Sequence, residues 1–432
     1  MSATQKDARN HIDRIAAGLS SDEIDRRLAP KFHAAAPRVP GATRTEPEVV
    51  DKRWALVPHA LTGREWITDS PAPADHAIYA HNIENFIGTA KIPIGLAGPL
   101  RVNGLAAQGD YYVPLATTEA ALVASYHRGA GVITESGGCA VMILNEGVSR
   151  SPVFAFKTIL ESGRFVQWCL EHEGELRAAA EATTRHGRLQ NLRFNVEGNH
   201  VYLILDFTTA DASGQNMVTI AAQAVCELIA AHCPTKSVYH FVEGNFSGDK
   251  KLSVQSFQSV RGKKVTAEVR VSRAVVERML HTTPEKMMDY WRISSIGGVL
   301  SGTVGVQGHY ANGLAALFIA CGQDVACVSE ASAGLTRFEI EDDGVLYAAV
   351  TLPNVIVGTV GGGTGLPSQR ACLDILKLAG PGNARAFAEV CAGLLLAGEL
   401  SITAAMSSHQ FTKAHARLAR GRTKLPTDAL PT

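Results

Sequence analysis

The sequence predicts an α+β protein in which a small ferredoxin-like unit is inserted into a larger domain built on long helices. Residues 152–242 follow a β-α-β-β-α-β pattern, which is the split βαβ arrangement of such a unit. From Ser294 onward, long helical patterns with many small residues dominate. Neither a doubly wound alternation nor a GxGxxG fingerprint after a strand is found. These observations separate the chain from the Rossmann-type α/β class.

Residues 1–75 are predicted to form a polar helical segment followed by a connector. The run "SSDEIDRRLAPKF" begins with a serine cap and acidic residues, and Pro30 ends the helix. A stretch rich in proline, alanine and threonine then indicates irregular structure. Residues 76–151 follow as the first part of the larger domain.

The inserted unit has four predicted strands and two predicted helices. The strands are "PVFAFKT", "LRFNV", "HVYLILDFT" and "SVYHFV", and the turn "EGN" joins the middle two. The helices are "SGRFVQWCLEHEGELRAAAEATT" and the more apolar "ASGQNMVTIAAQAVCELIAAHC". The larger domain resumes over residues 243–420, where the strand-like run "TRFEIEDDGVLYAAVTLP" interrupts the helices, and residues 421–432 form a tail.

The charge balance and the apolar pattern exclude several classes of protein. Because 41 Lys and Arg balance 41 Asp and Glu, no net field favours nucleic acid or an anionic membrane. The longest apolar runs meet Asp324 or Glu399 too early to span a bilayer, and the first residues lack a secretion signal. We therefore expect a cytoplasmic protein with no nucleic-acid or membrane partner.

The eight cysteines are scattered along the chain. They form neither a CxxC motif nor a Cys/His cluster. This spacing predicts reduced, buried thiols and no metal site.

The run "GTVGGGTGLPSQRACLDIL" is the strongest local signal. It has five glycines in eight residues, and Pro367 then opens a predicted helix. So many glycines indicate positive φ angles or the close approach of a ligand. Backbone N–H groups at a helix start can bind a pyrophosphate, while a tight turn between packed helices is the alternative. The candidate binding residues are Gly361, Gly362, Gly363 and Thr364.

Two segments of the inserted unit combine structural and binding signals. In "ADASGQNM", Asp211 or Ser213 can cap the second helix, and capping is the favoured role of Asp211. Gly214 beside the cap leaves room for a phosphate. In "TTRHGRLQ", Arg185 and Arg188 either pair with the end of the first helix or bind a phosphate group.

Three charged residues in separate runs are candidates for catalysis. Glu119 and Asp324 each lie among apolar and small residues, and burial of such a carboxyl group makes it a proton donor. Lys250 lies in "EGNFSGDKKLS", where the alternative is an ordinary surface turn. Carboxylates that accept backbone N–H groups for purely structural reasons are the alternative for Glu119 and Asp324.

Seven motifs occur in one order between about residues 80 and 418, and they identify a family. They are "ENFIGTAKIPIGLAGPL", "PLATTEAALVAS", "DASGQNM", "GNFSGDKK", "HYANGLAALFIACGQD", "GTVGGGTGLPSQ" and "HQFTKAH". In these motifs the chain resembles the catalytic portion of the 3-hydroxy-3-methylglutaryl-CoA (HMG-CoA) reductases, of the class I type also found in eukaryotes and archaea. The resemblance implies a large domain for CoA and substrate, and an inserted ferredoxin-like domain for NADPH.

The resemblance also implies a role for individual residues. The catalytic residues would be Glu119, Lys250, Asp324 and His415. The acyl portion of the substrate would contact Arg150, Asp249, Lys251 and Asn312, and CoA would contact His127 and Arg128. The cofactor would contact Thr184 and Arg185 through its 2′-phosphate, and also Asp211, Ser213, Gly214, Gln215, Asn216 and Met217. The active site would form between the subunits of a homodimer or larger oligomer.

The chemistry implied is the NADPH-dependent reduction of HMG-CoA to mevalonate and CoA through mevaldyl-CoA and mevaldehyde. Lys250 would neutralise the oxyanion of each reduction, Glu119 would supply a proton, and Asp324 would link the two. His415 would protonate the departing CoA thiolate. A reductase of another acyl-CoA or carrier-protein thioester, and a non-catalytic CoA- or nucleotide-binding protein, are the alternatives.

Two residues depart from the family pattern. Ser213 stands where the family usually has methionine. Glu243 stands where the family usually has a serine that contacts the substrate carboxylate. A second carboxylate there would repel the substrate unless it is protonated or paired.

Overall fold

The computed structural model describes residues 18–41, 47–67 and 89–408, together with Arg9, Tyr79 and Asn82. The described residues form helices and a mixed sheet, which confirms the predicted α+β class. The α-helices are α1 Ser21–Leu28, α2 Pro47–Trp54, α3 Arg64–Ile67, α4 Leu122–Glu135, α5 Ile159–Glu171, α6 Glu173–Glu181, α7 Gln215–His232, α8 Arg273–Val275, α9 Pro284–Ser301, α10 Tyr310–Ala320, α11 Val328–Ala331, α12 Pro367–Ile375 and α13 Ala384–Ser407. The strands are β1 Ile94–Gly104, β2 Gln108–Ala116, β3 Cys139–Arg150, β4 Val153–Ala155, β5 Arg188–Glu197, β6 His200–Thr208, β7 Tyr239–Phe241, β8 Gly262–Val271, β9 Gly305–Val306, β10 Gly334–Ile340 and β11 Leu346–Val355.

The strands pair in the order β7-β4-β6-β3-β8-β11-β10-β9. Beside this path, β5 pairs with β6, while β1 pairs with both β2 and β3. Strand β3 joins the two parts of the sheet, because Ala140–Gly147 pairs with β8 and Val148–Arg150 pairs with β6. The predicted hairpin in "TRFEIEDDGVLYAAVTLP" is present as β10 and β11, which are antiparallel.

The elements between β4 and β7 follow the predicted β-α-β-β-α-β sequence. Their strands lie in the antiparallel order β7-β4-β6-β5. The first predicted helix is two helices, α5 and α6, because the chain breaks at His172. A ring nitrogen of His172 lies 2.9 Å from the carbonyl oxygen of Trp168, and their rings stack, so this side chain closes the end of α5.

Helix α13 is the central core helix. By length and composition it could cross a membrane, but 83 % of its apolar window is buried inside the fold. Its two acidic residues bond to backbone amides: Glu389 accepts from residues 105–107, and Glu399 accepts from Gly308 and His309. These bonds explain how carboxylates are tolerated in an apolar core helix.

Smaller sequence predictions can also be compared with the structure. Helix α1 begins after Ser20, whose hydroxyl accepts the backbone N–H of Glu23, as predicted. All eight cysteines are free and buried. The described residues contain no cluster of three or more His, Cys, Asp or Glu side chains that could hold a metal ion.

Candidate active site

Lys250 and Asp324 form the centre of the candidate site. The Lys250 ammonium lies 2.9 Å from Asp324 Oδ2, and the two side chains are 43 % and 37 % exposed. The hydrogen bond that Lys250 donates to Asp324 raises the pKa of the Lys250 ammonium. The structure therefore brings together two residues that are far apart in sequence and presents a protonated amine to solvent.

Asp324 has a structural function as well as this contact. It caps the short helical turn Val325–Cys327, since its Oδ1 accepts the backbone N–H of Ala326 at 3.0 Å. Its Oδ2 accepts from the side-chain amide of Gln215 at 3.3 Å. The carboxylate is thus fixed by a backbone bond on one oxygen, and the other oxygen faces Lys250.

Glu119 and Asp324 are both exposed, so the predicted burial of these two carboxyl groups is wrong. The segment between β2 and α4 leaves the core, and Ala121 at its end adopts a left-handed conformation with φ of 71°. The side-chain amide of Asn312 donates to both carboxylate oxygens of Glu119, at 3.3 and 3.2 Å. Among the described residues, no hydrogen bond or ion pair joins Glu119 to Lys250 or Asp324 within one chain.

Arg150 lies at the end of β3 between two carboxylates. Its Nη1 is 3.1 Å from Asp249 Oδ2 and 3.4 Å from Glu243 Oε2. Its Nη2 donates to the backbone carbonyl of Gln215 at 3.3 Å. Burial opposes ionisation of Asp249, but Arg261 and Arg150 lower the pKa of this carboxyl group overall. The predicted substrate contacts Arg150 and Asp249 therefore form a fixed charged cluster.

Glu243 is paired rather than isolated. Its Oε2 accepts the backbone N–H of Ser151 at 3.3 Å in addition to the contact with Arg150. Its Oε1 and the hydroxyl of Ser151 are buried without a hydrogen-bond partner among the described residues. From the sequence, Glu243 is expected to repel the substrate carboxylate unless Glu243 is protonated or paired. The contact with Arg150 provides such a pairing.

Arg261 and Glu330 were missed by the sequence reasoning. Arg261 Nε lies 2.8 Å from Glu330 Oε2, and both side chains are buried. Glu330 is the single charged residue between Val325 and Leu335. A lone carboxylate in an uncharged run is the same feature that made Glu119 a candidate, so this feature could have identified Glu330. Burial raises the pKa of the Glu330 carboxyl group, while Arg261 and the Lys250 amide act in the opposite direction.

The predicted role of Asp211 as the cap of the following helix is wrong. Helix α7 begins at Gln215 after Gly214, whose φ is 80°, and no side chain caps it. Asp211 instead accepts the backbone N–H groups of Gly382 at 2.8 Å and Ala384 at 3.1 Å, so it caps α13. Asp211 lies too far before the first turn of α7 to reach its amides, and the loop brings it against α13.

The other residues predicted to bind the cofactor lie in two places. Gln215, Asn216 and Met217 form the first turn of α7 after Gly214, and Ser213 precedes them. The hydroxyl of Thr184 accepts the backbone N–H groups of His186 and Gly187, and it donates to the sulfur of Met217 at 3.0 Å. This contact joins the Thr184 turn to the start of α7.

Only one of the two arginines near Thr184 is engaged by the described part of the chain. Arg188 Nε lies 3.9 Å from Glu181 Oε2, and Arg188 donates to the carbonyl of Gly187. Arg185 is exposed, and no hydrogen bond or ion pair of its side chain is found among the described residues. Arg185 is therefore the cation available to a ligand beside Thr184.

The glycine-rich run packs against residues 211–213, which belong to the segment predicted to bind the cofactor. Gly361 and Gly362 have φ of 75° and 53°, and a short helical turn at Gly362–Gly365 precedes α12. A Cβ on Gly358 would lie 2.5 Å from the backbone nitrogen of Ser213. Glycine is thus required here by conformation and by close backbone contact. Both the turn and the binding interpretation stay open for Gly361, Gly362, Gly363 and Thr364.

A cavity of about 450 Å³ lies beside α4. Its basic lining includes His33, Arg38, His127 and Arg128. Arg128 is held by Ser401, donating to its carbonyl at 2.6 Å, and His127 has a buried Nδ1 without a partner among the described residues. Burial lowers the pKa of the His127 ring. The cavity is large enough for part of a drug-sized ligand.

Two predicted site residues, Lys251 and His415, are not placed in contact with the other predicted site side chains in the described part of the chain. The Lys251 ammonium donates to the carbonyl of Asp249 at 2.8 Å, which folds it back onto its own loop. His415 and the motif "HQFTKAH" lie outside the described residues.

Comparison with known proteins decides the family. Residues 50–420 match the family model described as hydroxymethylglutaryl-coenzyme A reductase. The chain belongs to this family. A relative named 3-hydroxy-3-methylglutaryl-coenzyme A reductase from Methanothermobacter thermautotrophicus is 44 % identical over 79 % of this chain and 85 % of its own length. One of the same name from Pyrococcus horikoshii is 38 % identical over 95 % and 98 %.

The fold is also similar to a solved member of the HMG-CoA reductase family. The class II HMG-CoA reductase from Streptococcus pneumoniae, solved with NADPH in open conformations, superposes with a TM-score of 0.68. It is 19 % identical, and the alignment covers 84 % of this chain and 98 % of that chain. At this identity the similarity concerns the fold.

Proposed function

We propose that this protein reduces HMG-CoA to mevalonate and free CoA at the expense of NADPH. The observation that carries the proposal is the contact between Lys250 and Asp324, which presents an ammonium group in a chain of this family. The full-length relatives share the reductase name at 38–44 % identity. The residues that the family motifs assign to catalysis are all present: Glu119, Lys250, Asp324 and His415.

The cofactor residues fit NADPH. Arg185 is exposed and unpaired among the described residues, next to the hydroxyl of Thr184, as a 2′-phosphate requires. Gly214, at the start of α7, leaves backbone N–H groups open for a phosphate. NADPH, when bound, would supply one hydride in each of the two reductions, so that two molecules of NADPH provide the four electrons of the reaction. The residues of this chain bind it, orient it and stabilise the charge that the reaction creates.

Each reduction leaves negative charge on the former carbonyl oxygen of the substrate. The Lys250 ammonium, which Asp324 orients at 2.9 Å, is the group that stabilises this charge. Glu119 donates a proton to the oxygen, and Asn312 orients its carboxyl group through two contacts. His415 protonates the CoA thiolate that leaves in the first half of the reaction.

CoA binds in the basic cavity beside α4, and the hydroxymethylglutaryl group lies near Arg150. His127 and Arg128 line the cavity, which supports their assignment to CoA. Arg150 and Asp249 provide hydrogen-bonding groups for the acyl end, and Glu243 pairs with Arg150 beside them. The family motifs also assign Lys251 and Asn312 to the acyl group, although in this structure Lys251 donates to the carbonyl of Asp249 and Asn312 donates to Glu119.

The active site is completed by a second subunit, so the protein acts as a homodimer or larger oligomer. Exposure of Glu119, and its separation from Lys250 within the described chain, support this arrangement. We assign the chain to class I, as the seven sequence motifs imply. The domain division is 76–151 and 243–420 for substrate and 152–242 for NADPH.

The direct test is oxidation of NADPH with a panel of acyl thioesters. HMG-CoA is expected to be the best substrate, with mevalonate and free CoA as products. The buried, unpartnered Oε1 of Glu243 favours one second candidate, the reduction of an acyl thioester without a terminal carboxylate. A faster reaction with such a thioester than with HMG-CoA would support the second candidate and reject the first.

A further inference from the structure

Two buried charged residues lie beneath the loop that carries Lys250. Arg261 is 2 % exposed and Glu330 is fully buried, and Arg261 Nε lies 2.8 Å from Glu330 Oε2. A buried ion pair of this kind is weak evidence for stability, because desolvation offsets its attraction. The proposed chemistry assigns no role to either residue. Neither stability nor the chemistry therefore explains why this ion pair is buried here.

Glu330 holds the backbone of Lys250. Its Oε1 accepts the backbone N–H of Lys250 at 3.1 Å. Lys250 adopts a left-handed conformation with φ of 55°, which residues other than glycine, asparagine and aspartate rarely adopt. Such a conformation persists only where the surrounding structure fixes it. The hydrogen bond from the Lys250 amide to the buried carboxylate of Glu330 is a contact of this kind.

Arg261 holds the residue before Lys250. One of its terminal nitrogens forms a short ion pair with Asp249 Oδ1 and lies 3.3 Å from Gln215 Oε1. The other donates to the carbonyl of Ser149 at 2.9 Å. The guanidinium therefore links the loop to the end of β3 and to the start of α7, whose Gln215 also contacts Asp324. One buried pair thus anchors two consecutive residues of the loop.

We propose that Arg261 and Glu330 are positioning residues, which fix the backbone at Asp249 and Lys250 so that the ammonium group points at the reacting oxygen. The inference rests on the proposed function of Lys250. If the pair were only structural, its loss would lower stability without a selective loss of turnover. If it positions Lys250, its loss lowers kcat more than it changes binding, since a displacement of about 1 Å can cost a hundredfold in rate.

The test compares Glu330→Leu with Glu330→Gln. Leucine removes the acceptor for the Lys250 N–H, whereas the glutamine carbonyl can retain it. We expect kcat of Glu330→Leu to fall about 10- to 100-fold with both Michaelis constants close to wild type. Glu330→Gln should recover most of this turnover. Wild-type kcat in the leucine variant, or an equal loss in both, would overturn the proposal.

Glu389→Leu is the matched control. Glu389 is also a buried carboxylate that accepts backbone N–H groups, but these belong to residues 105–107 at the hairpin between β1 and β2. This variant should lose stability, measured by urea unfolding, while kcat stays near wild type. A loss of kcat in proportion to stability in both leucine variants would contradict a positioning role.

Hydrogen exchange of the unmodified protein gives a second test that needs no variant to fold. The amide of Lys250 should exchange slowly, because Glu330 accepts it, while the amide of Gly248 in the same loop should exchange fast. Fast exchange at Lys250 would overturn the proposal. This measurement needs no substrate, so its result is independent of whether HMG-CoA is the substrate reduced.

Discussion

At the scale of single residues, the largest influence on the pKa of Lys250 is its hydrogen bond to Asp324. Asp324 raises the pKa of the ammonium group, so the cation should persist as the pH rises through the ordinary range of lysine. In Asp324→Asn this support is lost, and the pKa of Lys250 falls. The alkaline limb of the pH profile of kcat/KM should then move to lower pH than in wild type. An unmoved limb would show that Lys250 does not control it.

Glu243 is the residue whose effect on substrate binding is easiest to isolate. Two unit charges about 4 Å apart at an effective dielectric of about 20 repel by about 4 kcal/mol. Arg150 relieves part of this repulsion, but even a quarter of it is about fivefold in binding. Glu243→Ser should therefore lower the Michaelis constant for HMG-CoA by about fivefold with little change in kcat. A raised Michaelis constant would show that Glu243 itself binds the substrate.

At the scale of elements, Asp211 connects the inserted unit to the core helix. It accepts two amides at the start of α13, including that of Ala384, so Asp211→Ala should lower the free energy of unfolding by about 1 kcal/mol. Ser213→Ala is the matched control and should leave stability near wild type. Urea unfolding of both variants measures the difference. Equal stability of the Asp211 variant and wild type would reject the cap.

Elements that depend on local pattern could be predicted from the sequence. The alternation of strands and helices over 152–242 is local, and so is the Ser20 cap. The break at His172 could not be predicted, because the helical pattern continues across it. The partner of Asp211 could not be predicted either, since Gly382 lies 171 residues further along the chain.

In the candidate site, too, the residues that carry a sequence motif could be predicted, whereas features that depend on long-range contacts could not. The motifs point to Lys250 and Asp324, which the structure brings to 2.9 Å. The exposure of Glu119 was not predictable, because uncharged neighbours in sequence do not determine which side of the chain faces the core. Arg261 and Glu330 carry no motif, and their role depends on contacts formed only in the folded protein.

At the scale of the whole molecule, one chain does not bring Glu119 into contact with Lys250 among the described residues. If the site forms between subunits, Glu119→Gln and Lys250→Ala should each be inactive alone. Mixing them under conditions of subunit exchange should restore activity, because one hybrid site then contains both native residues. No recovery, with hybrid oligomers confirmed by native mass spectrometry, would place both residues of each site in one subunit.

The measurement that tests the central claim most directly is NADPH oxidation by wild type and by Lys250→Ala, with HMG-CoA and with free mevaldehyde as substrates. Both reductions create an oxyanion, so the variant should lose about 100-fold or more in kcat with each substrate, as loss of an oxyanion donor does. Thermal unfolding should show an intact fold. Wild-type turnover of either substrate by the folded variant would contradict the assignment of Lys250 as the cation for both steps.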